Sequence, residues 1–185
     1  MKGPILKGPR VTLRPIKLSD APTCVRWFRD SEVSQYMKQS LYKISLAKEK
    51  AYLKEVIKSD KEIVHAVIAE DGRYIGNVGT HLDSPFSKVA GFGIVIGDKR
   101  YWGRRYAGEC IELLKKFVFE KLKYNRWRLI VFVENKRAIK VYKRAGFKTE
   151  GRLRQQSLSR VDGKFHDQYI MSILRQEYLK KKVKK

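Results

Sequence analysis

A turn crowded with cations stands between a predicted strand and a predicted helix. Residues 99–105 read Lys-Arg-Tyr-Trp-Gly-Arg-Arg and lead directly into a helical pattern that runs from Tyr106 to Lys123. The first amide N–H groups of a helix have no partner within it, and the helix dipole makes that end partly positive. Several such amides among four cations predict a binding site for a pyrophosphate group. Before this turn, residues 90–97 form an apolar run interrupted by glycines. This pattern predicts a strand whose backbone a ligand or another segment approaches closely.

The second stretch that could carry chemistry runs from Asn135 to Phe147. Tyr142 follows Asn135 by seven residues, which is two turns along one helix face. Together with Trp102 to Glu109, this stretch resembles the acetyl-CoA signature of the GCN5-related N-acetyltransferases (GNAT). The resemblance is closest to the RimJ/RimL-like branch, whose best-known members acetylate the N-termini of ribosomal proteins. It covers nearly the whole chain, through residues 13–15, 19–20, 26–27, 32–33, 75–79, 150–154, 162–163 and 167–174.

The resemblance implies acetyl-CoA as co-substrate, no metal, and a set of residues that hold the cofactor. Loop residues would bind the pyrophosphate and strand backbone the pantetheine arm, the implied set being Ile94, Val95, Ile96, Trp102, Gly103, Arg104, Arg105, Tyr106, Ala107, Asn135 and Tyr142. Asn135 would bond the cofactor through its amide, and Tyr142 would protonate the departing thiolate as general acid. On the residues alone, Asn135 also fits a helix N-cap and Tyr142 a core aromatic.

Arg105 departs from the family pattern, which usually has glycine at this position of the loop. A residue with a side chain avoids the left-handed backbone that glycine adopts freely. The loop amides are therefore expected to remain available only if the backbone at Arg105 is helical. In that case the guanidinium adds charge where phosphate is expected; the alternative is an arginine that points into water.

The general base is the part of the chemistry with the fewest candidates. The strand 90–96 carries no carboxylate, where many GNAT enzymes have a glutamate. Glu134 and His81 remain as candidates for the general base, and Asp83 and Glu109 are further candidates. Each of the four also fits a structural role. An α-amine titrates near ~7.8 and a lysine near ~10.4, so a site without a strong base suits an α-amine.

Aromatic residues in the first third of the chain are the candidate acceptor contacts. Tyr36 and Tyr42 lie in an irregular connection that covers the acceptor site in the RimJ/RimL-like branch, and Trp27 precedes them on a helix. The alternative is that these rings cap the core, and Trp27 has the spacing of a buried stripe.

The elements that position these residues predict an α/β (α+β) chain with the GNAT fold. About seven strands form one mixed, mostly antiparallel sheet that splays between its fourth and fifth strands, flanked by about four helices. Residues 1–175 form the single domain, and 176–185 form a basic, solvated tail.

Charge is the most unusual property of the composition. The 185 residues carry a net charge of +23, and residues 98–160 alone hold 19 basic and 6 acidic side chains. Coenzyme A phosphates require only a few of these cations, so ribosomal RNA, another nucleic acid or an acidic protein is a candidate partner, and a solvated basic surface is the alternative. Two cysteines and three histidines without ligand spacing indicate no metal. No apolar run of membrane-spanning length occurs, which favours a cytoplasmic protein, monomeric or homodimeric.

These observations predict an acetyl-CoA-dependent N-acetyltransferase that works by direct attack in a ternary complex. The preferred acceptor is the N-terminal α-amine of a protein, in particular a ribosomal one. Polyamine or antibiotic acetylation is the second interpretation, which the basic segment disfavours because like charges repel. A nucleic-acid-associated module with the same fold and weak or no turnover is the third.

Overall fold

The computed structural model describes residues 3–37, 44–159 and 162–183. Eight strands within these residues form one sheet: β1 (Leu6–Lys7), β2 (Val11–Pro15), β3 (Glu62–Ala69), β4 (Tyr74–Ser84), β5 (Val89–Ile96), β6 (Arg126–Phe132), β7 (Lys148–Leu158) and β8 (Phe165–Leu174). Their order is β1-β2-β3-β4-β5-β6-β8-β7, and only the β5–β6 pair is parallel. The mixed, mostly antiparallel GNAT sheet is therefore confirmed, and the two-residue β1 adds one strand to the seven expected.

Six α-helices accompany the sheet in the described residues: α1 (Ala21–Arg29), α2 (Ser31–Ser34), α3 (Leu46–Lys58), α4 (Tyr106–Lys116), α5 (Lys136–Ala145) and α6 (Arg175–Val183). Helices α4 and α5 pack with the main core on one face of the sheet, around Phe92 and Trp127. Helices α1 and α3 cover the other face, where Leu53 and Val56 meet Ala66. None of the described helices is long and apolar enough to span a bilayer.

Local sequence explains where the important elements begin and end. The Asn135 side chain accepts a hydrogen bond from the Ala138 amide at 3.1 Å and so starts α5 as its N-cap. Gly146 ends α5 in the left-handed conformation, with φ of 101°. Gly72, with φ of 77°, forms the turn between β3 and β4.

The sheet opens between β5 and β6. These strands pair only from Val89 to Gly91, opposite Arg126 to Arg128, while β4 pairs with β5 as far as Ile96. The edge of β5 at Ile94, Val95 and Ile96 therefore lacks a strand partner on its β6 side. This is the splay that the sequence predicts between its fourth and fifth strands.

The C-terminal residues differ from the expected solvated tail. Arg175–Val183 is a helix, and its Tyr178 ring stacks on Phe119 with 5.2 Å between centroids. The Tyr178 hydroxyl also donates to Glu120 at 2.5 Å. The charge of these residues gives no signal for this packing, in which the Arg175 guanidinium also donates to the Phe119 carbonyl at 3.0 Å.

Candidate active site

A cleft of about 710 Å³ lies where the sheet opens. Its walls come from β5 and β6, from the loop that joins β5 to α4, and from α1, α3 and α5. The predicted cofactor residues Ile94, Val95, Ile96, Asn135 and Tyr142 all line it, as do Trp102, Gly103, Arg105, Tyr106 and Ala107. Arg104 does not line the cleft, and its carbonyl accepts a hydrogen bond from Arg10 at 3.1 Å.

The loop between β5 and α4 presents a row of free amides to the cleft. Among the described residues, no hydrogen-bond acceptor partners the N–H groups of residues 103–108. Left-handed conformations at Gly103 (φ 75°) and Arg105 (φ 67°) curve this loop before α4 begins. Consecutive free amides at a curved helix start form a site for a phosphate group, so these residues fit the diphosphate of coenzyme A.

The backbone at Arg105 is left-handed and not helical, so the expected helical conformation is wrong. Its φ of 67° and ψ of 10° are left-handed, the conformation that the usual glycine would adopt. A residue with a Cβ pays about 1–2 kcal/mol for this conformation. The loop therefore keeps its glycine-type shape despite the arginine, and the exposed guanidinium is placed beside the free amides.

Side-chain contacts of the loop residues hold the loop in place. The Trp102 indole donates to the Ile96 carbonyl at 2.6 Å, and the Arg137 guanidinium lies over its ring at 4.8 Å. The Tyr101 hydroxyl donates to Asp71, and the Tyr106 hydroxyl donates to Glu70 at 2.7 Å. The side chain of Tyr106 is thus used for anchoring, and only its backbone is free to serve a ligand.

Tyr142 lies on α5 and lines the cleft. Its ring meets Phe92 and Phe147 edge-on at 6.0 and 5.9 Å. None of the described residues hydrogen-bonds its hydroxyl. Burial raises the pKa of Tyr142 to about 12, so the phenol carries its proton throughout the physiological range.

The candidate bases occupy very different positions. Glu134 does not line the cleft and forms an ion pair with His166 at 3.1 Å. Asp83 pairs with Arg128 at 2.9 Å, and Glu109 accepts from the Arg10 amide at 2.7 Å. His81 does line the cleft, and its Nδ1 lies 3.4 Å from the Glu62 carboxylate. A carboxylate on one ring nitrogen leaves the other free to take a proton.

The aromatic residues predicted to contact the acceptor also lie in different places. Trp27 is 5% exposed, and its ring lies tilted against that of Tyr74 with 4.7 Å between centroids. It also covers Gly97, where a Cβ would lie 2.0 Å from the indole. Trp27 is therefore a core residue, and its neighbour Phe28 lines the cleft instead. Tyr36 lines the cleft and is 36% exposed. Tyr42 lies outside the described residues.

Several cleft residues were missed by the sequence argument. Glu49 and Tyr52 of α3, Asn77 of β4, and Arg137 and Lys140 of α5 all line the cleft. Glu49 had a detectable signal, because it stands at the i position of the buried i, i+4, i+7 stripe that Leu53 and Val56 complete. No three His, Cys, Asp or Glu side chains of the described residues are grouped so as to hold a metal.

Comparison with known proteins agrees with this geometry. Residues 10–148 match the family described as acetyltransferase (GNAT) domain, and the chain belongs to this family. It is 27% identical to the "Uncharacterized N-acetyltransferase p20" of Bacillus licheniformis, covering 91% of this chain and 95% of the relative. It is 26% identical to the spermidine N(1)-acetyltransferase of Escherichia coli K12, covering 91% and 88%.

Among solved structures, the spermidine N-acetyltransferase of Vibrio cholerae in complex with CoA and spermine superposes with a TM-score of 0.85. The sequence identity is 24%, and the match covers 93% of this chain and 99% of the other, so this likeness concerns the fold. The protein is an acetyl-CoA-dependent N-acetyltransferase. The RimJ/RimL-like placement remains a prediction.

Proposed function

We propose that the acceptor is a small polycationic amine of the polyamine class rather than the N-terminus of a protein. The observation that carries this proposal is the separation of charge along the cleft. Its basic lining side chains, Arg105, Arg137, Lys140 and Arg144, belong to the cofactor loop and α5. Of its two lining carboxylates, Glu32 is bonded to Lys99 of the cofactor loop, whereas Glu49 on α3 has no cationic partner among the described residues. An ammonium group is thereby offered a carboxylate on a different element from the cations that suit phosphates.

This separation removes the objection that the net charge raises. The basic excess of residues 98–160 would repel a polycation only if the same surface bound it. The acceptor end is built from the less basic first half of the chain. The names of the spermidine acetyltransferase relatives support the same interpretation.

The proposed reaction joins the acceptor nitrogen to the acetyl carbon as the carbon–sulfur bond breaks. Bound acetyl-CoA supplies the acetyl group as an activated thioester. The amides of residues 103–108 and Arg105 hold its diphosphate, and the free edge of β5 holds the arm. Tyr142 donates a hydrogen bond from its phenol to the sulfur that leaves, which stabilises the developing thiolate.

The attacking amine must first lose a proton. Relative to an α-amine, a lysine-like amine costs about 3.5 kcal/mol more to deprotonate at neutral pH. Of the base candidates, His81 is the one that the cleft contains, and Glu62 favours the tautomer whose Nε2 accepts. We assign the proton from the amine to His81.

Steady-state kinetics with a panel of acceptors tests the proposal. Thiol release and product mass would be followed with spermidine, 1,4-diaminobutane, free amino acids and peptides that carry ribosomal-protein N-termini. The expected result is the highest kcat/KM for the polyamines. Preferential acetylation of peptide N-termini would overturn the acceptor assignment and restore the RimJ/RimL-like one.

A further inference from the structure

Glu49 is a cleft residue that has no role in the acetyl transfer proposed for this site. It is 7% exposed, it lines the cleft, and no cation of the described residues pairs with it. Its carboxyl group forms a hydrogen bond with the Cys24 thiol, which Tyr74 and Asn77 also contact at 3.1 and 3.2 Å. Burial raises the pKa of the Glu49 carboxyl. A buried carboxylate without a cation is costly, and a cationic ligand would compensate that cost.

The surroundings of Glu49 reinforce the demand for a cation. Glu62, on the neighbouring β3, has one carboxylate oxygen directed to His81 and the other buried without a hydrogen-bond partner. No Lys or Arg among the described residues lines this end of the cleft. Glu32, the other lining carboxylate, is already bonded to Lys99 at 3.0 Å. Glu49 is thus the lining carboxylate that remains available to a ligand.

Two glycines form the surface of the sheet between Glu49 and the gap that separates β5 from β6. Gly79 and Gly93 are directly opposite each other on β4 and β5, and both line the cleft. A Cβ placed on Gly93 would meet no atom within 4 Å. Gly79 and Gly93 are on the face opposite to Phe92, which contacts Tyr142. A slender chain can therefore lie across the glycines and reach the opening between β5 and β6.

We propose that Glu49 binds the ammonium group of the acceptor that does not react, and so selects linear diamines and polyamines over monoamines. This inference rests on the proposed function. Helix α3 packs over β3, which is two strands from the opening edge of β5, so about 10 Å of sheet separates these two strands. A linear diamine or triamine spans a distance of that order, and a monoamine leaves the anchor empty.

The test compares Glu49→Gln with Glu55→Gln, which removes an exposed carboxylate from the same helix. Rates would be measured with spermidine, 1,4-diaminobutane and butylamine at saturating acetyl-CoA. Loss of a charged hydrogen bond should lower kcat/KM about 10- to 100-fold for the first two acceptors, mainly through KM. Butylamine should change less than about twofold, and Glu55→Gln should change neither class.

Two controls separate the ways in which the inference can fail. Glu49→Asp keeps the charge and should retain part of the diamine preference, and the KM for acetyl-CoA should be unchanged in both Glu49 variants. Equal losses for diamines and butylamine, or no loss at all, would overturn the anchor while leaving the acceptor class intact. If the wild-type protein acetylates neither spermidine nor 1,4-diaminobutane, the proposed function itself fails.

Discussion

The Tyr142→Phe variant measures how much the phenol hydroxyl contributes to the rate at which the thiol departs. Burial raises the pKa of Tyr142 to about 12, whereas a thiol in water titrates near ~8.5, so the phenol is the weaker acid. Full transfer of its proton to the departing thiolate is therefore unfavourable. Tyr142 is then better described as a hydrogen-bond donor to the developing negative charge, with the net proton arriving later from another group.

A hydrogen bond to a charged group contributes about 1.5–3 kcal/mol, which corresponds to a loss of roughly 10- to 200-fold in kcat for Tyr142→Phe. The ring contacts with Phe92 and Phe147 are kept, so the melting temperature should not fall. The KM for acetyl-CoA should stay within about twofold, because the hydroxyl acts on the leaving group. Single-turnover rates measured with spermidine would check this. An unchanged rate would remove Tyr142 from the chemistry, and a loss far beyond this range would indicate full proton transfer.

Four further perturbations follow from particular contacts. Arg105→Gly should preserve the left-handed loop yet weaken acetyl-CoA binding by calorimetry, and unchanged affinity would mean that the amides suffice. Gly93→Val should fold normally, since space is open at its Cβ, while lowering kcat/KM for spermidine more than about 10-fold; normal turnover would show that the groove lies elsewhere. Tyr178→Ala should lower the melting temperature more than Tyr178→Phe, and equal effects would assign the anchoring to the Glu120 bond instead of the ring. Burial lowers the pKa of His65, so the stability that its neutral form contributes is complete above ~6.5 and is lost as the pH falls through the lowered pKa. In denaturant titrations, His65→Gln should therefore lose less stability than the wild-type protein between neutral and mildly acidic pH. An identical loss in both proteins would exclude His65 as its source.

The fold and the cofactor end of the cleft could be predicted because their signals are local. A strand, a basic turn and a helix start follow one another in the chain, and the Asn135 cap and Gly146 stop mark the helix that carries Tyr142. Neither signal depends on how distant segments meet. The predicted cofactor residues accordingly line one cleft, with Arg104 as the exception.

The acceptor end could not be predicted in the same way, because its residues come from separate elements. Glu49 and Asn77 belong to a helix and a strand whose contact is set by packing around Cys24. Trp27 illustrates the converse error, since an aromatic residue near a site was counted as a contact although Gly97 makes room for it in the core. Glu134 was likewise available in sequence but is committed to His166 in the fold.

The backbone at Arg105 was mispredicted because local preference was given too much weight. A cost of about 1–2 kcal/mol is small beside the contacts of Trp102, Tyr101 and Tyr106 that fix the loop on both sides. Tertiary contacts therefore decided the conformation, as they often do at ligand-binding turns.

The most direct test of the account is a crystal structure of the dead-end complex with coenzyme A and spermidine. It should show the diphosphate bonded to the amides of residues 103–108, the arm along Ile94 to Ile96, and the amine chain over Gly93 with one nitrogen at Glu49. A diphosphate bound away from that loop, or a polyamine bound outside the cleft, would contradict it.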